Sequence, residues 1–123
     1  MKVRSYKELD VWTKGMEVVN HIYAITEEFP SKELYGLAAQ MQRSAVSIPS
    51  NIAEGFARGH TAEYVQFLRI ALGSRAELET QLIIADRRNY VAKPDVLSLQ
   101  GALGHESRMI MNLIKSLKGN KRR

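Results

Sequence analysis

The sequence contains no cysteine, three prolines and 7% aromatic residues. Without cysteine there is no disulfide scaffold, no thiolate nucleophile and no Cys-ligated metal. No apolar run approaches the roughly 18 residues needed to span a bilayer, and the opening Met1 to Asp10 stretch has no apolar core of the kind a secretory signal requires. These absences point to the cytoplasm. What is present is 123 residues with 45% hydrophobic and 25% charged character. That is the composition of a folded globular chain, not a disordered one. The length suits one domain, which hides roughly two-thirds of its unfolded surface on folding.

The formal charge is +5, and its position matters more than its size. Lys118, Lys121, Arg122 and Arg123 supply four charges in the last six residues, which leaves only +1 through Leu117. The expected organisation is a single domain over residues 1–117 with a basic, flexible tail over 118–123. A nearly neutral body does not read as a broadly basic nucleic-acid-binding surface.

Four segments carry helical periodicity. From about Tyr6 to Glu28, Leu9, Trp12, Met16, Val19 and Tyr23 fall on one face, widened by Ile22 and Ile25. Pro30 stops this helix, because the residue before a proline avoids the α region. Ser31 is the expected cap of the second helix, with Glu33 in its first turn. Leu34, Leu37, Met41, Ala45, Ile48, Ile52 and Phe56 form its apolar stripe. That register runs straight through Pro49, where a helix loses a hydrogen bond at a cost of about 3 kcal/mol. The helix either continues with a kink or breaks and restarts at Ser47, and the unbroken register favours the kink.

Thr61 can cap the third helix, in which Tyr64, Leu68, Ala71, Arg75, Leu78, Leu82 and Ala85 share a stripe. A second seam of Phe67, Ala71, Ser74, Leu78 and Gln81 implies neighbours on two sides. Pro94 opens the fourth helix. Its stripe of Leu99, Leu103, Ile110, Leu113 and Leu117 is interrupted by Glu106 alone, and Gly119 is the expected end. No segment alternates with period two. The predicted fold is all-α, an antiparallel up-down four-helix bundle with the second helix kinked at Pro49.

Catalytic and cofactor signatures are missing. His21, His60 and His105 lie in no Glu-x-x-His or His-Glu-x-x-His spacing. Gly55-Phe56-Ala57-Arg58-Gly59 lacks the lysine of a phosphate loop. Ser44, Ser47 and Ser50 sit in no nucleophile elbow. The expectation is a protein that is not an enzyme, with no metal and no cofactor.

Two patterns remain. The second helix carries a polar seam of Glu33, Gly36, Gln40, Arg43, Ser47, Asn51, Glu54 and Arg58, which is either a solvated face or a subunit interface. Gln66, Gly73, Glu77, Glu79 and Gln81 on the third helix offer a counterpart. Arg75 and Glu106 occupy core-like positions and need partners if buried, in each other or in a neighbouring subunit. The basic tail either solubilises the chain or neutralises phosphates, with Lys93, Arg108 and Lys115 continuing the patch along the fourth helix.

Specific motifs then carry a resemblance. Glu33-Leu34-Tyr35-Gly36-Leu37 with Gln40 and Arg43, and Ser47-Ile48-Pro49-Ser50-Asn51-Ile52-Ala53-Glu54-Gly55-Phe56 with Arg58, form one block. Phe67-Leu68-Arg69-Ile70-Ala71-Leu72-Gly73-Ser74, Glu77-Leu78-Glu79-Thr80-Gln81-Leu82 and Leu9-Asp10-Val11-Trp12 accompany it. Together they resemble the bacterial four-helix-bundle proteins encoded within intervening sequences of 23S ribosomal RNA genes, a family similar to the accessory protein of diversity-generating retroelements. The resemblance covers roughly residues 6 to 117. It implies a homo-oligomer, a pentamer, and by the retroelement relative it implies RNA or DNA and a protein partner such as a reverse transcriptase. The near-neutral body departs from that relative's basic character.

The signature positions Arg43, Asn51, Glu54, Arg58, Ser74, Glu77 and Gln81, with Gln40 and Ser47, are assigned to assembly or a buried polar network. Lys93, Arg108, Lys115, Lys118, Lys121, Arg122 and Arg123 are the candidate nucleic-acid contacts. The expected role is a non-enzymatic, self-assembling accessory protein that binds RNA or DNA. The alternative is an oligomeric protein–protein adaptor or scaffold with no nucleic-acid role.

Overall fold

The computed structural model describes residues 2–121, with side chains through residue 119. Four α-helices dominate it: α1 (Asp10–Thr26), α2 (Leu37–Arg58), α3 (Thr61–Arg87) and α4 (Lys93–Lys121). Two short 3-10 turns, Tyr6–Glu8 and Ser31–Glu33, precede α1 and α2, and no strand occurs among the described residues. None of these helices is long and apolar enough to cross a membrane.

Packing is four-sided. α1 packs along α2 and α4, α3 packs along α2 and α4, and the diagonal pairs make no close backbone approach among the described residues. Side-chain partners show how the neighbours run. Gly15 lies against Pro49 while Thr26 bonds Gln42, and Gly15 lies against Glu106 while His21 meets Asp95. As residue numbers rise along α1, those of its partners on α2 and α4 fall. The core between the helices is a column of fully buried aliphatic side chains. It includes Ile22, Met41, Ile48, Ile52, Leu68, Leu78, Leu82, Leu99, Leu103 and Ile110. Each such side chain contributes roughly 1.5–3 kcal/mol by leaving water.

α1 is rotated from the face its apolar spacing suggests. The line against the core is Val11, Gly15, Val18, Ile22 and Ile25. Leu9, Trp12, Met16 and Val19 lie on its half-buried flank, and Tyr23 is exposed. The sequence hides this line because its second member has no side chain. A Cβ on Gly15 would stand 3.0 Å from the Glu106 carboxylate and 3.4 Å from the Pro49 ring. The absent side chain is therefore what lets three helices close together at this level.

The start of α2 also differs from expectation. Ser31 begins a 3-10 turn, and α2 starts six residues later with Gly36 at its N-cap. Capping passes to Glu33, whose Oε1 accepts the Leu37 N–H at 3.1 Å while its Oε2 accepts the Tyr90 hydroxyl at 2.9 Å. The Leu37 bond, then the Tyr90 bond, holds this carboxyl below the usual carboxylate range. Leu34, displaced from the helix, is 57% exposed and does not belong to the core stripe.

α2 is continuous through Pro49, with no break or restart at Ser47. It ends at Gly59, whose φ of +77° is the left-handed conformation that glycine adopts without strain. Only Gly59 and His60 separate it from α3. Asn89 (φ 62°) closes α3 in the same conformation, and Tyr90 N–H bonds the Ala85 carbonyl at 3.0 Å. α4 runs through Lys121, two residues past Gly119.

Candidate nucleic-acid interface

The groove between α3 and α4 gathers positive charge. On α4, Arg108, Lys115 and Lys118 step by seven and three residues and so share a face. Arg69 projects from α3 into the same cleft, which encloses about 450 Å³. Leu72, Met111 and Ile114 supply its apolar lining, and Asn112 also lines it. From Arg108 to Lys118 the row extends roughly 15 Å along the axis.

No carboxylate balances these cations. Among the described residues, none of the four lies within ion-pairing distance of an acid. Residues 93–123 contain two acids only. Asp95 sits at the opposite end of α4, 2.8 Å from His21 Nε2. Glu106 points into the core and is 0% exposed. Burial pushes its carboxyl up to about 8, with Lys14 opposing and Glu17 reinforcing that shift. Neither Glu106 oxygen has a hydrogen-bond partner. The acid that interrupts the sequence of α4 is therefore held mainly in its uncharged form at neutral pH, away from the surface cations.

The other candidate contacts are distributed unevenly. Lys93 is not part of this groove. It opens α4, roughly 22 Å of helix from Arg108, and its Nζ lies 3.4 Å from Asp86. Arg122, Arg123 and the Lys121 side chain lie outside the described residues. Arg69 is the candidate contact that sequence reasoning missed. It follows Leu68 within an apolar run, and only the pairing of α3 with α4 brings it beside Arg108.

The polar seam is a second, separate arrangement. Ser47 Oγ and Ser74 Oγ are 2.7 Å apart across α2 and α3, and Asn51 Nδ2 donates to both the Ser47 hydroxyl and its carbonyl. Gln40, Arg43, Ser47, Glu77 and Gln81 line one polar cleft of about 390 Å³, together with Ser44. Glu54 and Arg58 pair at 2.8 Å at the far end, where the guanidinium also lies 4.9 Å from the centre of the Phe67 ring. Part of the seam thus joins two helices of one chain, and part opens outward. Arg75 and Glu106 do not pair with each other. Arg75 reaches Glu79 at 3.4 Å, leaving its Nε without a partner, as is Gln81 Oε1.

Nothing in the arrangement of titratable groups indicates catalysis. Among the described residues, no group of three or more His, Asp or Glu is placed to hold a metal.

Comparison with known proteins agrees with this architecture. A crystal structure at 1.70 Å resolution, of a protein with unknown function from the S23 ribosomal protein family of Bacteroides thetaiotaomicron VPI-5482, superposes with a TM-score of 0.79. It shares 24% identity over 85% of this chain and 95% of that one, a likeness that speaks to the fold. No curated protein matches the chain. The family model described as 23S rRNA-intervening sequence protein matches residues 7–112. With the match running from before α1 into α4, over most of its length, the chain belongs to the 23S rRNA-intervening sequence protein family.

Proposed function

We propose that this protein is a non-enzymatic, self-assembling bundle of the cytoplasm that binds RNA or DNA through the phosphate backbone. The observation that supports this reading is the groove of Arg69, Arg108, Lys115 and Lys118, four cations with no acid beside them. Such a row releases counterions when it meets phosphates, which gives salt-sensitive binding with little base readout. Assembly into a homo-oligomer, a pentamer by the resemblance, multiplies the grooves and the basic ends in one particle. It would raise avidity without any new contact.

The test is retention of a labelled RNA across a salt series. Binding through four cations is expected to fall with a log–log slope of roughly −3. Replacing Arg108 and Lys115 by Gln should flatten that slope by about 1.4. Absence of binding at low salt would sink the proposal. Light scattering addresses assembly separately, and a monomer at high concentration would remove that part.

The alternative, an oligomeric adaptor with no nucleic-acid role, draws on the α2/α3 cleft. Gln40, Arg43, Glu77 and Gln81 line that cleft with polar groups that a second protein surface could meet. Under that reading, Gln81→Ala shifts the oligomeric state and RNA binding is absent throughout.

A further inference from the structure

Phosphate contacts alone do not explain the apolar lining of the α3/α4 groove. Met111, 58% exposed, falls between Arg108 and Lys115 on the same face of α4, and half-buried Leu72 and buried Ile114 also line the cleft. A duplex presents its phosphates on a convex surface and offers nothing apolar at their level. It would engage the rim and leave this apolar lining in water. A ligand that covers both must be anionic along its edge and apolar on a flat face a few ångströms away. An unpaired nucleotide has that division, with phosphates on one side and an unstacked base on the other.

We infer that the groove is a seat for single-stranded nucleic acid, in which one unpaired base lies on Met111, Leu72 and Ile114. In this arrangement Arg69 and the row Arg108, Lys115 and Lys118 hold the flanking phosphates. The inference rests on the nucleic-acid reading above and sharpens it to the unpaired strand. Charge complementarity favours it, because the rim is wholly cationic and the apolar lining carries no charge. Size agrees: about 450 Å³ falls within the range of roughly 300–1,000 Å³ of small-ligand sites. The roughly 15 Å row is long enough to meet several consecutive phosphates of a strand.

The lining has no aromatic ring, so the base rests on aliphatic carbon and a polarisable thioether. Every base offers a face to such a surface, and discrimination among the four is expected to be slight. Among the described lining side chains, Asn112 is the neutral one that can hydrogen-bond a base edge.

The experiment uses the full chain and three fluorescent probes of equal length at low salt: an oligouridylate strand, the same backbone without bases, and an RNA duplex. The strand is expected to bind about tenfold more tightly than either of the others. Met111→Ser should lower affinity for the strand about fivefold and leave the abasic probe and the salt slope unchanged. Arg69→Gln with Arg108→Gln should weaken all three probes. Equal binding of strand and abasic probe would overturn the base seat and leave phosphate binding standing. A preference for the duplex would overturn it too. If no probe binds and an acidic amphipathic peptide does, both this inference and the function it rests on are wrong.

Discussion

Glu106 and Arg108 are two residues apart on α4, yet one carboxyl lies in the core and the guanidinium lies in water. At the junction of α1, α2 and α4, the Glu106 carboxylate and the Pro49 ring both close on Gly15. The α3/α4 groove instead leaves a row of cations open to solvent. A group's surroundings, not its formal charge, decide what it does. In the junction, burial removes the charge and ties the group to stability. In the groove, solvation keeps the charge and makes it available to a partner.

The largest expected effect probes the buried side. Below pH 4.5 the Glu106 carboxyl is protonated in both folded and unfolded chains. Between 4.5 and about 8 the unfolded chain releases a proton that the folded chain keeps. Stability therefore falls as pH rises through that window, by roughly 1.4 kcal/mol per unit and several kcal/mol in all. Denaturation midpoints measured from pH 5 to 9 check this. Glu106→Gln should flatten that part of the profile, and an unchanged profile would show that the carboxyl is solvated. Glu106→Leu, which removes the unpartnered oxygens, should stabilise the protein at pH 9.

Next in size is Gly15→Ala, whose added carbon meets Glu106 and Pro49. A loss of about 1–3 kcal/mol is expected. In a Glu106→Ala background the same change should cost less, and a thermodynamic cycle reads that coupling. If the two changes simply add, the junction is looser than its contacts imply.

Ser74→Ala stands between the extremes, at about 1 kcal/mol, because it removes a partly buried bond to Ser47. Smallest of all, Arg108→Gln and Lys115→Gln should each move the melting midpoint by no more than about 0.5 kcal/mol equivalent. A large change at either position would mean that the groove is held together by its cations, and the contrast between the two regions would collapse.

Much of this was readable in the sequence because helical periodicity is a local signal. Four apolar stripes mark four helices, and the register through Pro49 anticipates the continuous α2. Glu106 stands out in its stripe as the one charged member. What resisted reading depends on partners far away in the chain. Gly15 cannot be recognised as a core position until Pro49 and Glu106 are known to converge on it. Ser31 resembles a cap, yet Glu33 makes the capping bond because Tyr90 holds its other oxygen. Arg69 joins the groove only through the pairing of α3 with α4. The polar seam on α2 was visible as a pattern, while its division into an inward Ser47–Ser74 contact and an outward cleft was not.

The two-residue link at Gly59 and His60 has a kinetic consequence. Closing so short a loop sacrifices little chain entropy, so α2 and α3 form a helical hairpin whose contacts are close in sequence. Gly55 tightens it, since a Cβ there would stand 2.8 Å from Phe67 Cβ. The contacts of α1 with α4 join residues some 74 to 91 positions apart, from His21–Asp95 to Gly15–Glu106. The expected folding order is the α2–α3 hairpin first and the α1–α4 seam last. In φ-value measurements, Ala71→Gly should then slow folding and Val18→Ala should mainly speed unfolding. On that order, the Glu106 proton is trapped only at the final step, when the seam that buries it closes.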